Sequence, residues 1–217
     1  GTLTTGTGAL AGTSGVTVNS GATLNAVNLN SSASLNVTSG ATASLSGTGL
    51  TLNSVTANGT LNLTGNTGRI TMGSLTGAGT TSFSSNATIT GGIATGTVAV
   101  TGDLNASISG GTVTTNTLTA ATISGGTTTA NGVATIGTVS NGTLNLNAAT
   151  SSVTTLNGGN VALGGTALTV ANGTTAGVIS STGSLTKTGS GTLTLNGANT
   201  YTGATTVNAG TLTTGAG

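Results

Sequence analysis

Arg69, Asp103 and Lys187 are the only charged residues in this sequence of 217. An arginine could clamp an anion, an aspartate could serve as base or metal ligand, and a lysine as nucleophile or crosslink donor. Each of those roles needs company, and the three stand far apart in sequence with no second ionisable group beside any of them. His, Cys, Pro and Trp are absent, and the aromatics are Phe83 and Tyr201. Charged residues make up 1% of the total, against about 25% in ordinary soluble domains. General acid–base catalysis, metal ligation and nucleophile activation all draw on the missing types. The sequence therefore predicts no catalytic, metal-binding or cofactor-binding residues, and a built object rather than an enzyme.

The individual residues read as parts of a scaffold. Lys187 and Tyr201 are expected to pack, cap or make turn contacts, and Asp103, after Gly102, to make a local turn hydrogen bond. One carboxylate is a poor start for a calcium site. An isopeptide link from Lys187 to an asparagine would need an acid, for which Asp103 is the sole candidate. Arg69 reads as a solvated corner, with a bridge to a neighbouring chain as the alternative. Sequons at Asn30, Asn36, Asn58, Asn62, Asn86, Asn105, Asn141 and Asn172 are expected by chance in so Asn-, Ser- and Thr-rich a sequence.

Zero cysteines exclude a disulfide framework and thiolate metal sites. No segment approaches the roughly 18 apolar residues of a membrane-spanning helix, and two aromatics cannot furnish the girdles of a membrane barrel. A formal net charge of +1 offers no field for nucleic acid or anionic lipid. The sequence starts at Gly1 without a charged or apolar leader, which reads as a mature or internal portion of something longer.

The elements that must position these residues are strands. GTLNLTG at 59–65, GTLNLN at 142–147 and GTLTLNG at 191–197 alternate large apolar residues with Thr or Asn, the signature of a half-buried strand. Between such runs lie SG, TG, NG and GG turn signals, and 40 glycines disfavour helix. The regular spacing of apolar residues argues against disorder, which the composition alone would permit. A longer period runs through Leu3, Leu24, Leu45, Leu63, Phe83, Leu104, Ile123, Leu144 and Leu163, in steps of 18 to 21. Leu193 to Leu212 is another 19, and the step of 30 from Leu163 to Leu193 reads as an insertion in the Val170 to Val178 region. Smaller steps, such as Ile108, Val113, Leu118 and Ile123, suggest several short strands around each coil with Gly or Asn corners. A period near 20 is characteristic of β-solenoids. The expected fold is all-β, a parallel β-helix of about ten coils running through 1–217 as one continuous segment. A sandwich would want larger core residues and longer strands.

Residues 182–217, TGSLTKTGSGTLTLNGANTYTGATTVNAGTLTTGAG, resemble the passenger-associated repeat of autotransporters (the autotransporter-associated β-strand repeat). The pattern falls on Gly183, Leu185, Lys187, Gly189, Gly191, Leu193, Leu195, Gly197, Asn199, Tyr201, Gly203, Val207, Gly210 and Leu212. The other coils resemble the general style of β-strand-repeat surface proteins. The resemblance implies a right-handed β-helix, exported to the surface of a Gram-negative bacterium, with the repeat assisting secretion and folding. The sequence shows neither that family's signal peptide nor its translocating barrel.

Stacked coils would align the outward threonines in ladders, giving a surface of methyls and hydroxyls. Its simplest role is solubility, and its functional alternative is contact with another copy, a glycan or ice. The expected function is an extracellular stalk or fibre segment serving display, adhesion or filament and matrix formation, with a glycan- or ice-binding module as the alternative. Partners are then neighbouring coils of a longer parent protein, further copies by end-to-end or lateral association, and cell-surface or matrix glycans. Neither nucleic acid nor membrane insertion is expected. GTLTTG recurs at residues 1–6 and 210–215 without charge, so the segment is expected to continue covalently or by stacking.

Overall fold

Leu61 and Leu63 are fully buried, whereas Thr60 and Asn62 beside them stay half-exposed. That alternation, fixed by the two-residue period of extended backbone, recurs in the strands between Thr23–Val27 and Thr192–Leu195, whereas the terminal strands Thr2–Thr4, Thr205–Val207 and Thr211–Thr214 are largely exposed. The computed structural model describes residues 1–7, 10, 13–29 and 33–215, and in it the alternating segments form strands that pair in parallel. Among them there are 25 strands and no helix, and so no helix long and apolar enough to cross a membrane. The fold is a parallel β-solenoid of about 12 turns with a period of about 17 residues, close to the expected ten coils and period near 20.

The protein divides into two compact units, Gly1–Ser107 with Gly111–Val113, and Ile108–Gly110 with Thr114–Gly217. In the first unit one sheet takes the strands Thr2–Thr4, Thr23–Val27, Thr42–Gly47, Thr60–Asn66, Thr80–Phe83 and Thr97–Val100. The other takes Gly15–Val18, Ser34–Val37, Thr51–Ala57, Ile70–Thr76 and Ala87–Ile93. Every strand pairs in parallel with its copy one coil later, Thr2 with Thr23, Thr23 with Thr42, Thr42 with Thr60, and Thr60 with Thr80. In the second unit Leu118–Ile123, Ala134–Val139, Thr150–Leu156, Ala167–Thr175, Ser184–Lys187 and Thr205–Val207 form one sheet. Thr127–Ala130, Thr143–Leu146, Asn160–Ala162 and Ile179–Ser180 belong to another. From Ala167–Thr175 onward a third sheet opens, as Gly173–Thr175 pair with Thr192–Leu195, and those with Thr211–Thr214.

Two kinds of corner recur among the described residues. In Ile70–Thr76 the inward residues are Ile70, Met72 and Leu75, so the two-residue rhythm slips to three at Gly73. A Cβ on Gly73 would lie 2.3 Å from the Asn53 carbonyl oxygen of the coil beneath. The second corner is left-handed. Gly77, Gly96 and Gly111 take φ of 101°, 85° and 76° in the first unit, and Gly126, Gly142 and Gly159 take 71°, 89° and 74° in the second. Glycine adopts that region without the steric cost that other residues meet.

The expected apolar column is part right. Leu3 stacks on Leu24, Leu63 on Phe83 and Leu193 on Leu212. Leu24, however, faces Ala43, Phe83 faces Val100, Ile123 faces Val139 and Leu144 faces Val161, while Leu104 begins a strand of the other sheet. Coil length drops to 17 at Thr80↔Thr97 and 16 at Thr127↔Thr143. Alternation always offers another apolar residue two positions on, so a fixed step of about 20 lands on the wrong one. The insertion also lies elsewhere. Val170 pairs with Lys187, 17 residues on, and Gly173 with Leu193, 20 on. The three extra residues therefore fall between Lys187 and Leu193, while Ala167–Thr175 turns the corresponding corner within one continuous strand, with Gly173 at φ 138°.

Candidate functional site

Leu185, Thr186 and Lys187 alternate like any other strand, and that rhythm turns the lysine inward. Lys187 stacks between the buried Val170 and the exposed Val207 and is itself completely buried. Its aliphatic stem takes the place of an apolar core residue, and its ammonium must then find acceptors, since an unpaired buried charge is costly. Nζ donates to the Gly189 carbonyl and, at 3.2 Å, to that of Ala209. Gly210, at φ 70°, would place a Cβ 2.8 Å from Nζ, so the absence of a Cβ leaves room for the cap. Both acceptors lie at the corner that holds the three extra residues or one coil beyond it. The expected packing and capping role is what this geometry performs. Both hydrogen bonds end on backbone carbonyls, and neither joins Lys187 to an asparagine amide.

Two further residues fasten the same segment. Asn199 Oδ1 accepts the Ile179 N–H at 2.8 Å, and Nδ2 donates to the Gly197 carbonyl at 2.8 Å. It thus ties one coil to the next and closes its own turn at once. The half-buried Tyr201 shares a hydrogen bond between its hydroxyl and Thr205 Oγ1, at 2.7 Å. Replacing Asn199 with alanine leaves the Ile179 N–H without its partner, and should cost about 1–3 kcal/mol. Chemical denaturation of the variant beside the parent protein measures this, and an unchanged midpoint would contradict it.

Arg69, Asn86 and Asp103 fall into one file at a corner of the first unit. Ile70 N donates to the Asn86 carbonyl and Ala87 N to that of Asp103, so the residues preceding these strands stack. Asn86 Oδ1 accepts the Asp103 N–H at 2.9 Å, and its Nδ2 reaches Asp103 Oδ2 at 3.4 Å. The contacts of Asp103 are therefore between coils, where the sequence suggested a local turn. Arg69 Nη1 donates to Thr88 Oγ1, also one coil away, at 2.9 Å, and its exposed position fits the expected solvated corner. Among the described residues no three His, Cys, Asp or Glu side chains group together. Asn30 lies outside the described residues.

Outward ladders form as expected, with a change of composition. Thr2, Thr23, Thr42, Thr60, Thr80 and Thr97 stand in register on the first unit, a file of six hydroxyls at rungs of about 4.8 Å. The file two residues along runs Thr4, Asn25, Ser44, Asn62, Ser82 and Ala99, so amides interrupt the hydroxyls. Asn25, Ser44, Ser46, Asn62 and Thr64 line a groove of about 410 Å³ there. Elsewhere such residues link coils, as in Asn147 Nδ2 to Asn131 Oδ1 at 3.0 Å and Ser54 Oγ to Ser34 Oγ at 3.0 Å. Asn66 turns inward instead. Its Nδ2 holds the Leu45 and Leu63 carbonyls at 2.8 and 3.2 Å, while its buried Oδ1 is unpaired.

Residues 185–213 match the family model of the passenger-associated-transport-repeat. The match embraces Lys187, its two acceptors and Asn199, and together with the β-solenoid it fits an autotransporter passenger repeat. Comparison with curated proteins and with solved structures finds no match to either.

Proposed function

We propose that this protein is a structural segment of an autotransporter passenger, held outside a Gram-negative cell as a stalk or fibre element. The observation that carries this reading is the matched repeat, folded as successive coils of the same solenoid and fastened by Lys187 and Asn199. Its work is display, adhesion or filament and matrix formation, without catalysis or a cofactor. Its partners are neighbouring coils of a parent protein and further copies. Protease added to intact cells that produce the parent protein tests the placement. The segment should be cleaved or labelled from outside, and complete protection until lysis would overturn the reading. Light scattering on the isolated 217 residues tests association, which a monomer at high concentration would refute.

An exposed scaffold with almost no charge should be indifferent to acidity and salt. Stability varies with pH only where folded and unfolded states bind different numbers of protons, and Asp103 is the single acidic residue, at an exposed corner. Melting temperature should stay flat between about pH 3 and 7 and across moderate salt. A sharp acid transition followed by circular dichroism would contradict this.

The six-threonine file favours a second reading, a surface for glycan or ice. Thermal hysteresis or a glycan-array signal from the protein would support it, and blanks in both would remove it.

A further inference from the structure

Six Asn-Gly pairs occur in the sequence, at Asn58, Asn131, Asn141, Asn157, Asn172 and Asn196. Such a pair carries latent chemistry, because the glycine nitrogen can attack the asparagine Cγ with no Cβ of its own in the way. The fold treats the six differently. Asn58 Oδ1 accepts from Ala78 N at 3.1 Å and Gly59 N is bound to the Val37 carbonyl at 3.0 Å. Asn131 Oδ1 accepts from Asn147 Nδ2, and Gly132 N is bound to the Asn116 carbonyl at 2.7 Å. Asn157 Oδ1 accepts from Thr174 N and Asn172 Oδ1 from Thr155 Oγ1. In all four the amide is turned toward another coil.

Asn141 is held the other way. It is exposed, in the corner between Ala134–Val139 and Thr143–Leu146, and its Oδ1 accepts the N–H of Gly142 at 2.8 Å. That hydrogen bond folds the amide carbonyl of Asn141 over the nitrogen that would attack it, and exposure admits the hydroxide that removes the proton. Holding reacting groups together in this way turns a conformational search into a local step. Asn196 is exposed too, yet among the described residues no hydrogen bond joins its amide to Gly197 N.

We propose that Asn141–Gly142 is a site of spontaneous modification, which cyclises and deamidates ahead of the other Asn-Gly pairs. The Gly142 nitrogen loses its proton to hydroxide and bonds to Asn141 Cγ. The bond from Cγ to Nδ2 breaks, and the amino group leaves as ammonia after taking a proton from water. A five-membered succinimide remains. Water then adds to one of its two carbonyls and opens it, giving aspartate or isoaspartate. No oxidant or reductant is involved, and the net change is one water consumed and one ammonia released. The product adds a carboxylate to a protein that has one acidic residue and a formal net charge of +1. Isoaspartate further inserts a methylene into the backbone beside Gly142, whose φ is 89°.

The test is incubation of the intact folded protein at mildly alkaline pH, then peptide fragmentation by mass spectrometry after digestion with a protease that does not need charged residues. Asn141 should convert first, roughly tenfold or more ahead of the other five sites. In strong denaturant the six rates should converge. Equal rates in the folded protein, another site converting first, or no conversion would each overturn the proposal. So would a lead for Asn141 that persists undiminished in denaturant, since sequence rather than fold would then set it.

Discussion

Replacing Lys187 with alanine should cost about 3 kcal/mol, concentrated in the coils that match the repeat. The variant loses twice. Removing a buried stem leaves a cavity between Val170 and Val207, and removing the ammonium leaves the Gly189 and Ala209 carbonyls without their donor. Lys187→Met separates the two effects, because methionine keeps most of the stem. It should recover much of the packing and retain a deficit of about 1–2 kcal/mol from the carbonyls. Hydrogen exchange provides the local readout. Amides over 185–213 should exchange faster in Lys187→Ala while those of Gly1–Ser107 stay unchanged. A lysine that merely filled space would leave the methionine variant as stable as the parent.

Gly96→Val is the second large effect, on the order of 3 kcal/mol or more. Gly96 sits at φ 85°, and a Cβ there would meet the Gly77 carbonyl oxygen at 2.4 Å and that of Gly79 at 2.9 Å. A branched residue is penalised by the backbone region and by contact with backbone atoms that cannot step aside. Gly49→Ala is the control. Gly49 has a similar φ of 69° with nothing within 4 Å of its would-be Cβ, so only the conformational penalty of about 1–2 kcal/mol should appear. Urea unfolding of both variants measures the difference. Equal losses would mean that stacking of the corners contributes nothing.

The strands were legible because a period of two survives any change in coil length. The coil period was legible only as an average. Leu24, Phe83 and Leu144 have apolar partners other than those a fixed step selects, since a coil may shorten at a corner without disturbing the strand after it. For the same reason the step of 30 points to extra residues at Val170 to Val178, whereas three of them lie after Lys187. The burial of Lys187 was written in the alternation of Leu185, Thr186 and Lys187, but the usual exposure of lysine hid it. Asp103 and Asn86 could not be paired from sequence. Their contact needs a register of 17 residues, which only the assembled coils define.

The corner after Lys187 holds three more residues than the corner beneath it, while pairing resumes on both sides. Genes that encode short sequence repeats gain and lose codons by replication slippage. Here an in-frame gain or loss confined to a corner changes the circumference of one coil and leaves the hydrogen-bond rows above and below it intact. The architecture therefore tolerates the very class of mutation that its own repetitiveness provokes. Coils of 16 and 21 residues within one molecule are the record such tolerance would leave.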